Sequence, residues 1–273
     1  MLKDLLVVAD DAAGCASRLT LAASLARHYD AHLTGLYVLR VPVAPEYAGS
    51  GILDRLVRLY LPEEERKAAD ARRTFEEITA RCGVVKAEWR VDRGDATEQA
   101  IVHAIHADLA IVGQVDPSRP APTMPPLLPE DVIVAAGGPV LVVPAKGRFG
   151  AVGTRVLIAW NGSREAARAI HDALPILSGA EAVMVFTVDA DRKVPGTPDI
   201  VRHLQRHGVK TAVERIRASE EDVVAQLFLR AGTFRADLIV MGAYGHSRTR
   251  ELVLGGATRD VLQTASIPVL MSH

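Results

Sequence analysis

Near its carboxyl end the chain reads Gly242-Ala243-Tyr244-Gly245, then nine residues, then Gly255-Gly256-Ala257-Thr258. Glycines at 242 and 245 allow a turn with positive φ and close approach of a ligand to the backbone. Successive N–H groups in such a loop form a nest that attracts anions. Gly255-Gly256 then opens a predicted helix, whose free N-terminal N–H groups and dipole favour a phosphate. Thr258 adds a hydroxyl from the first turn. The chemistry expected of this segment is therefore the cradling of phosphate. There is no Gly-x-x-x-x-Gly-Lys-Ser/Thr loop and no Gly-x-Gly-x-x-Gly after a strand, so the P-loop and dinucleotide fingerprints are missing.

The elements that must position this loop come in two similar sets. Ala107-Asp108-Leu109-Ala110-Ile111-Val112-Gly113 resembles Ala236-Asp237-Leu238-Ile239-Val240-Met241-Gly242, and Pro139-Val140-Leu141 resembles Pro268-Val269-Leu270, both at an offset of 129 positions (107 to 236, 139 to 268). Leu5–Asp10 resembles Val156–Asn161 at the start of each half. A duplicated domain follows. In the first half the apolar patterns predict strands over 5–9, 33–39, 84–91, 109–113 and 140–143, with helices over 17–29, 63–82, 96–106 and 129–136. In the second half strands are predicted over 156–160, 182–188, 211–216, 238–242 and 269–271. Helices there fall over 164–174, 198–207, 220–231, 247–254 and 257–264. Continuous apolar strands alternating with helices imply α/β domains with doubly wound parallel sheets. The seam is the Gly-rich, charged run 144–150, which gives domains of 1–147 and 148–273. Residues 40–61 have no counterpart in the second half. They read as a surface insertion, loop-like at first, with a helical turn or two over 52–60; a lid or partner-binding element is the alternative.

With strand order 3-2-1-4-5, strands one and four of a half are neighbours at the switch point, where ligands sit at the carboxyl ends. The end of strand one, Ala159-Trp160-Asn161-Gly162-Ser163, then shares a crevice with the glycine loop.

The 273 residues carry 32 Lys+Arg against 33 Asp+Glu, a formal net charge of -1, and only 4% aromatics. Such a chain lacks the basic excess and stacking residues that nucleic acid requires, and no apolar run reaches a membrane span. No nucleic-acid or membrane partner is expected. The opening MLKDLLVVADD lacks the form of a signal peptide, and two cysteines, Cys15 and Cys82, make no disulfide framework, so a cytoplasmic location is expected.

On Asn161-Gly162-Ser163, the 236–242 strand, the Gly-x2-Gly-x9-Gly loop and the closing Ile267-Pro268-Val269-Leu270-Met271, the sequence resembles the universal stress protein family, as two tandem copies over nearly the whole chain. The resemblance implies ATP, or ADP or AMP in its place. Adenosine contacts are implied at Ala159, Trp160, Asn161, Val188 and Met241. Phosphate contacts are implied at Gly242, Gly245, Gly255, Gly256, Ala257 and Thr258, with Tyr244 nearby. The family's ATP-binding pattern has Asp where Asn161 stands and Ser or Thr where Gly256 stands. The first change removes a charge that helps hold Mg2+, and the second removes a phosphate hydroxyl contact. In the first half, Asp116, Pro126 and Leu127 stand where the second half has Gly245, Gly255 and Gly256. A carboxylate repels phosphate and proline lacks an N–H, so that half is expected to keep the fold and lose the site. One-domain relatives pair through their last strand. The two last strands here are expected to meet within the chain as an intramolecular pseudo-dimer, with a homodimer of whole chains still compatible.

Other polar residues read as structural. Trp160 is read as core filling before adenine shelf, and Asp10 as a helix-capping or surface residue. Cys15 lies near a helix start, which favours a thiolate. His246 and Arg248 could reach phosphates or sit at a solvated helix start, and His103, His106, His203 and His207 fall on polar helix faces without metal-ligand spacing. No catalytic set is identifiable. The expected function is a tandem stress-response or regulatory protein binding an adenine nucleotide in its second half and acting on unknown protein partners. The alternatives are a slow ATPase and a scaffold or small-ligand binder without nucleotide.

Overall fold

The computed structural model describes residues 1–40, 50–116, 126–189, 194–219, 222–245 and 256–273, with the side chains of 50–54 and 56 left aside. The first half runs β1 (Asp4–Ala9), α1 (Cys15–Tyr29), β2 (His32–Arg40), α2 (Ser50–Cys82), β3 (Ala87–Gly94), α3 (Ala96–Ala104), β4 (Leu109–Gly113), α4 (Pro129–Ala135) and β5 (Val140–Val143). The second runs β6 (Arg155–Ala159), α5 (Arg164–Leu177), β7 (Ala182–Asp189), α6 (Thr197–Arg206), β8 (Thr211–Arg217), α7 (Val223–Phe234), β9 (Leu238–Gly242), α8 (Gly256–Thr264) and β10 (Val269–Ser272).

The ten strands of the described residues form one sheet in the order β3-β2-β1-β4-β5-β10-β9-β6-β7-β8. Each half has the order 3-2-1-4-5, and every pairing within a half is parallel. The halves meet where β10 pairs antiparallel with β5: Val269 with Val142, Leu270 with Leu141, Met271 with Val140. Leu141 and Leu270, one repeat apart, face each other, so a local two-fold axis passes between them. All six residues are buried. Each half thus covers the apolar edge that the other would leave open.

Successive strand residues point to opposite faces. Leu5, Val7, Val156 and Ile158 enter a core under α1, α2, α5 and α6, built with Leu19, Phe75, Ala169 and Leu204. Leu6, Val8 and Leu157 enter a second core under α3, α4, α7 and α8, built with Ala100, Val132, Leu227 and Val261. Burial on both faces is why these strands read as unbroken apolar runs.

Three boundaries differ from expectation. Helix α2 starts at Ser50, so residues 50–61 of the insertion continue the helix through Pro62 rather than adding a turn or two. The turn after Pro62 is anchored from outside: Glu64, 5% exposed, bonds Arg40 Nε and Nη2 at 3.3 Å each, and Lys67 Nζ lies 3.0 Å from Asp11 Oδ2. Strand β3 begins at Ala87, not Val84. Val84 N–H still bonds Thr79 O (2.9 Å) at the end of α2, and Val85 is exposed. Helix α7 runs through Gly232 to Phe234 and ends on Arg235 in the left-handed conformation (φ 55°). The helix expected over 247–254 lies outside the described residues.

Candidate functional site

The carboxyl end of β6 turns sharply into α5. Asn161 Oδ1 accepts the Ser163 N–H (3.0 Å), Gly162 takes φ 76°, and Ser163 Oγ caps the helix by accepting the Ala166 N–H (3.1 Å). The side-chain oxygen of Asn161, a residue implied as an adenosine contact, is therefore engaged in the turn. Ala159 pairs in register with Phe186 of β7 and Met241 of β9. Ala159, Val188, Met241 and Tyr244 all lie half-buried against the second core, on one face of the sheet. Trp160, the next residue along, falls on the opposite face in the first core. It is 7% exposed, and its indole N–H donates to Pro195 O (3.1 Å). The structure brings Ala159, Val188 and Met241 together and turns Trp160 away from them.

The loop after β9 is built by contact rather than by glycine φ angles. Neither Gly242 nor Gly245 has positive φ; the left-handed residue is Tyr244, at 55°. What Gly242 permits is close packing of α5: a Cβ there would lie 2.4 Å from Ala166 N and 2.5 Å from Glu165 C. A Cβ on Gly245 would lie 2.7 Å from Glu165 Oε2 and 3.0 Å from Ser163 Oγ. Tyr244 N–H donates to Thr258 Oγ1 (3.3 Å), which ties the loop to the first turn of α8. Thr258 is buried, and a hydroxyl that accepts one bond can also donate one. Gly256 and Ala257 are exposed at the start of α8, where backbone N–H groups have no partner within the helix. Gly255, His246 and Arg248 lie outside the described residues.

Glu165 is the site residue that sequence reasoning missed. Its type and place, two residues after a helix cap, are ordinary for a first turn. Its side chain is only 9% exposed and reaches the loop. Burial at that position is set by β9 lying alongside α5, which local sequence does not report.

At the carboxyl end of β1 in the first half a long charged side chain is buried. Arg18 is 2% exposed and donates from Nε to Val8 O (2.9 Å), and its Nη2 lies 2.8 Å from Asp10 Oδ2. A Cβ on Gly113, at the end of β4, would collide with Arg18 Nη1. Asp10 is no helix cap: it accepts the Ala12 N–H (3.0 Å) and pairs with Arg18, while Gly14 occupies the cap. Leu127 packs on the second core and Pro126 is half-buried before α4. Cys15, expected to favour a thiolate, is buried, and burial pushes its thiol up against the smaller opposing pull of Arg18. His203, expected to be solvated, is half-buried. Its ring packs between His171 and His207 (centroids 5.0 and 4.7 Å). His103 Nε2 sits 2.5 Å from Asp92 Oδ2. Among the described residues no three His, Cys, Asp or Glu side chains group to hold a metal, and no helix is long and apolar enough to cross a membrane.

Two α/β layers joined through their fifth strands, with a glycine loop at one switch point, define a tandem single-sheet architecture. The model of the universal stress protein family matches residues 1–144 and 154–273, and the chain belongs to that family. Universal stress protein Slr1230 of Synechocystis is 32% identical over 152 residues, covering 52% of this chain and 49% of that protein, so the chain spans about half the length of this curated relative. A universal stress protein from Archaeoglobus fulgidus shares the fold with a TM-score of 0.72 at 15% identity, over 98% of this chain and 96% of that one. A protein of unknown function from Pseudomonas aeruginosa shares it with a TM-score of 0.58 at 18% identity, over 99% and 92%.

Proposed function

We propose that this chain is a nucleotide-binding regulatory protein that takes one adenine nucleotide per chain. The site lies at the carboxyl ends of β6, β7 and β9. The observation that carries the reading is the meeting of the loop after β9 with the start of α8. There, exposed Gly256 and Ala257 and the Thr258 hydroxyl lie at the loop that follows β9, the strand paired with β6. Free helix N-terminal N–H groups and a hydroxyl are phosphate donors. The half-buried Ala159, Val188 and Met241 provide an apolar wall for a base, and adenine is the base that family resemblance implies. The first half contrasts with this, since Asp116, Pro126 and Leu127 stand where the second half has Gly245, Gly255 and Gly256. Nucleotide occupancy would act through the contacts of the chain with a protein partner.

The test is to purify the chain, release any bound small molecule with acid and identify it by chromatography, then to titrate the stripped protein with ATP. Adenine nucleotide in the extract or saturable ATP binding is expected. An empty extract together with no ATP binding leaves the scaffold reading in its place. Phosphate release with Mg2+ distinguishes a binder from a slow ATPase.

A further inference from the structure

The sheet ends on β8, which pairs with β7 on one side and, among the described strands, with none on the other. The N–H and C=O groups along such an edge can take up a further strand. Beside this edge α6 leaves a groove of about 370 Å3. Thr197, Pro198, Val201 and Arg202 line it from the helix, and Val213 and Arg215 from the strand. Val213 and Arg215 stand two residues apart and so share one face of β8. Val213 is 50% exposed, which leaves an apolar side chain uncovered in mid-strand.

Burial and charge say what fits there. Thr197 is 3% exposed, and its hydroxyl, at the wall of the groove, has no hydrogen-bond partner. A buried hydroxyl without a partner is costly, and a polar atom entering the groove relieves that cost. Residues 197–217 hold five Lys+Arg against two Asp+Glu, in a chain of formal net charge -1. Arg202 bonds Asp199 at 2.6 Å, but both side chains are exposed, and such a pair is worth little in water. Arg215 reaches Asp189 only at 3.6 Å. Both guanidiniums keep N–H donors for a carboxylate. The opposite edge differs. On β3 two Lys+Arg meet two Asp+Glu, and Arg90 bonds Glu88 of the same strand.

We propose that β8 and the α6 groove take an extended acidic segment of a partner protein, added to the sheet as a further strand. Its backbone pairs with β8, its apolar side chains cover Val213 and Val201, and its carboxylates meet Arg202, Arg215 and the Thr197 hydroxyl. In this mode of recognition main-chain bonds supply affinity and side-chain pockets supply selection. A second copy of the chain is the poorer occupant, because pairing β8 with β8 sets like cations against each other. The proposal does not depend on the nucleotide reading.

The experiment follows the fluorescence anisotropy of a labelled peptide alternating Glu and Val, titrated with the whole chain in the absence of nucleotide. The controls are a peptide alternating Lys and Val, the Glu-Val peptide N-methylated along its backbone, and a poly-Glu peptide. Saturable binding of the Glu-Val peptide is expected, with each control weaker by at least about tenfold. Arg202→Glu should weaken it by about tenfold or more. Thr197→Val keeps the shape of the side chain without its hydroxyl; it should weaken binding at least about threefold without lowering the melting temperature. No saturable binding of the Glu-Val peptide overturns the proposal. So does an N-methylated peptide that binds as well as its parent, since it cannot pair as a strand. A Lys-Val or poly-Glu peptide that binds equally removes the selection for an acidic strand, and unchanged affinity in either variant removes the groove. A dimer in sedimentation that Arg202→Glu breaks assigns the edge to a second copy and likewise overturns the proposal. Should Thr197→Val melt early, Arg202→Glu decides, because Arg202 is exposed.

Discussion

Gly245 offers the most direct single substitution. Gly245→Asp would copy Asp116 of the first half into the second. Its Cβ would stand 2.7 Å from Glu165 Oε2 and 3.0 Å from Ser163 Oγ, and its carboxylate would join Glu165 beside the phosphates. Like charges at ~4 Å and an effective dielectric near 20 cost about 4 kcal/mol. At ~1.4 kcal/mol per tenfold, ATP affinity should fall at least ~100-fold. Calorimetry on the folded variant checks this; wild-type affinity would place the phosphate elsewhere. The converse change, Asp116→Gly, should create no site, since Arg18, Pro126 and Leu127 remain. The two thiols make a second test. Cys15 is buried with its thiol pushed up by burial, whereas Cys82 is half-buried. In native protein near pH 8, Cys82 should react first with a thiol reagent and Cys15 slowly, both becoming equal in denaturant. Faster labelling of Cys15 would restore the thiolate reading.

Helix α6 carries a pH dependence. His203 packs between His171 of α5 and His207, with Arg202, Arg206 and Asp199 on its own helix, and its Nε2 is buried without a hydrogen-bond partner. Burial first, then the neighbouring His171, His207 and Arg206, lower its pKa below that of an ordinary histidine. The unfolded chain therefore binds more protons between the folded value and about 6.5. Stability contributed by neutral His203 is full above that range and is lost as pH falls through it. Melting temperature should decline between about pH 7.5 and 5.5, and His203→Asn should flatten part of the decline. An unaltered slope in that variant would rule the residue out. Helix α2 shows where element boundaries escape the sequence. Pro62 reads as a start because it lacks an N–H, and what holds the helix together beyond it is Glu64 bonded to Arg40 and Lys67 paired with Asp11. Such pairs join residues far apart in the chain.

The ten-stranded sheet makes the molecule a symmetric frame with an asymmetric content. The β5–β10 seam relates the halves about Leu141 and Leu270, yet Pro126 and Leu127 stand in one half where the other has Gly255 and the exposed Gly256. ATP titration should therefore give about one site per chain, since the Asp116 carboxylate and the N–H donor missing at Pro126 both act against the first half. Two equivalent sites would overturn this.

The apolar runs and the constant offset of 129 positions were enough to read the repeat and its parallel strands, while the meeting of the last strands, expected from the family resemblance, is seen in the β5–β10 pairing. These are legible because burial of strand faces and cover of open edges depend on the local pattern of apolar residues. The glycine loop was legible as a loop, but not in its mechanics. Positive φ fell to Tyr244, and the two glycines serve the approach of α5. Trp160 went to the other face from Ala159 because neighbouring strand residues alternate, a rule the sequence also contains. Arg18 against Gly113, and Glu165 against Gly245, were decided by tertiary structure alone. Where a long polar side chain ends depends on its rotamer and on the distance to an element far away in sequence, and neither is written in the residues around it.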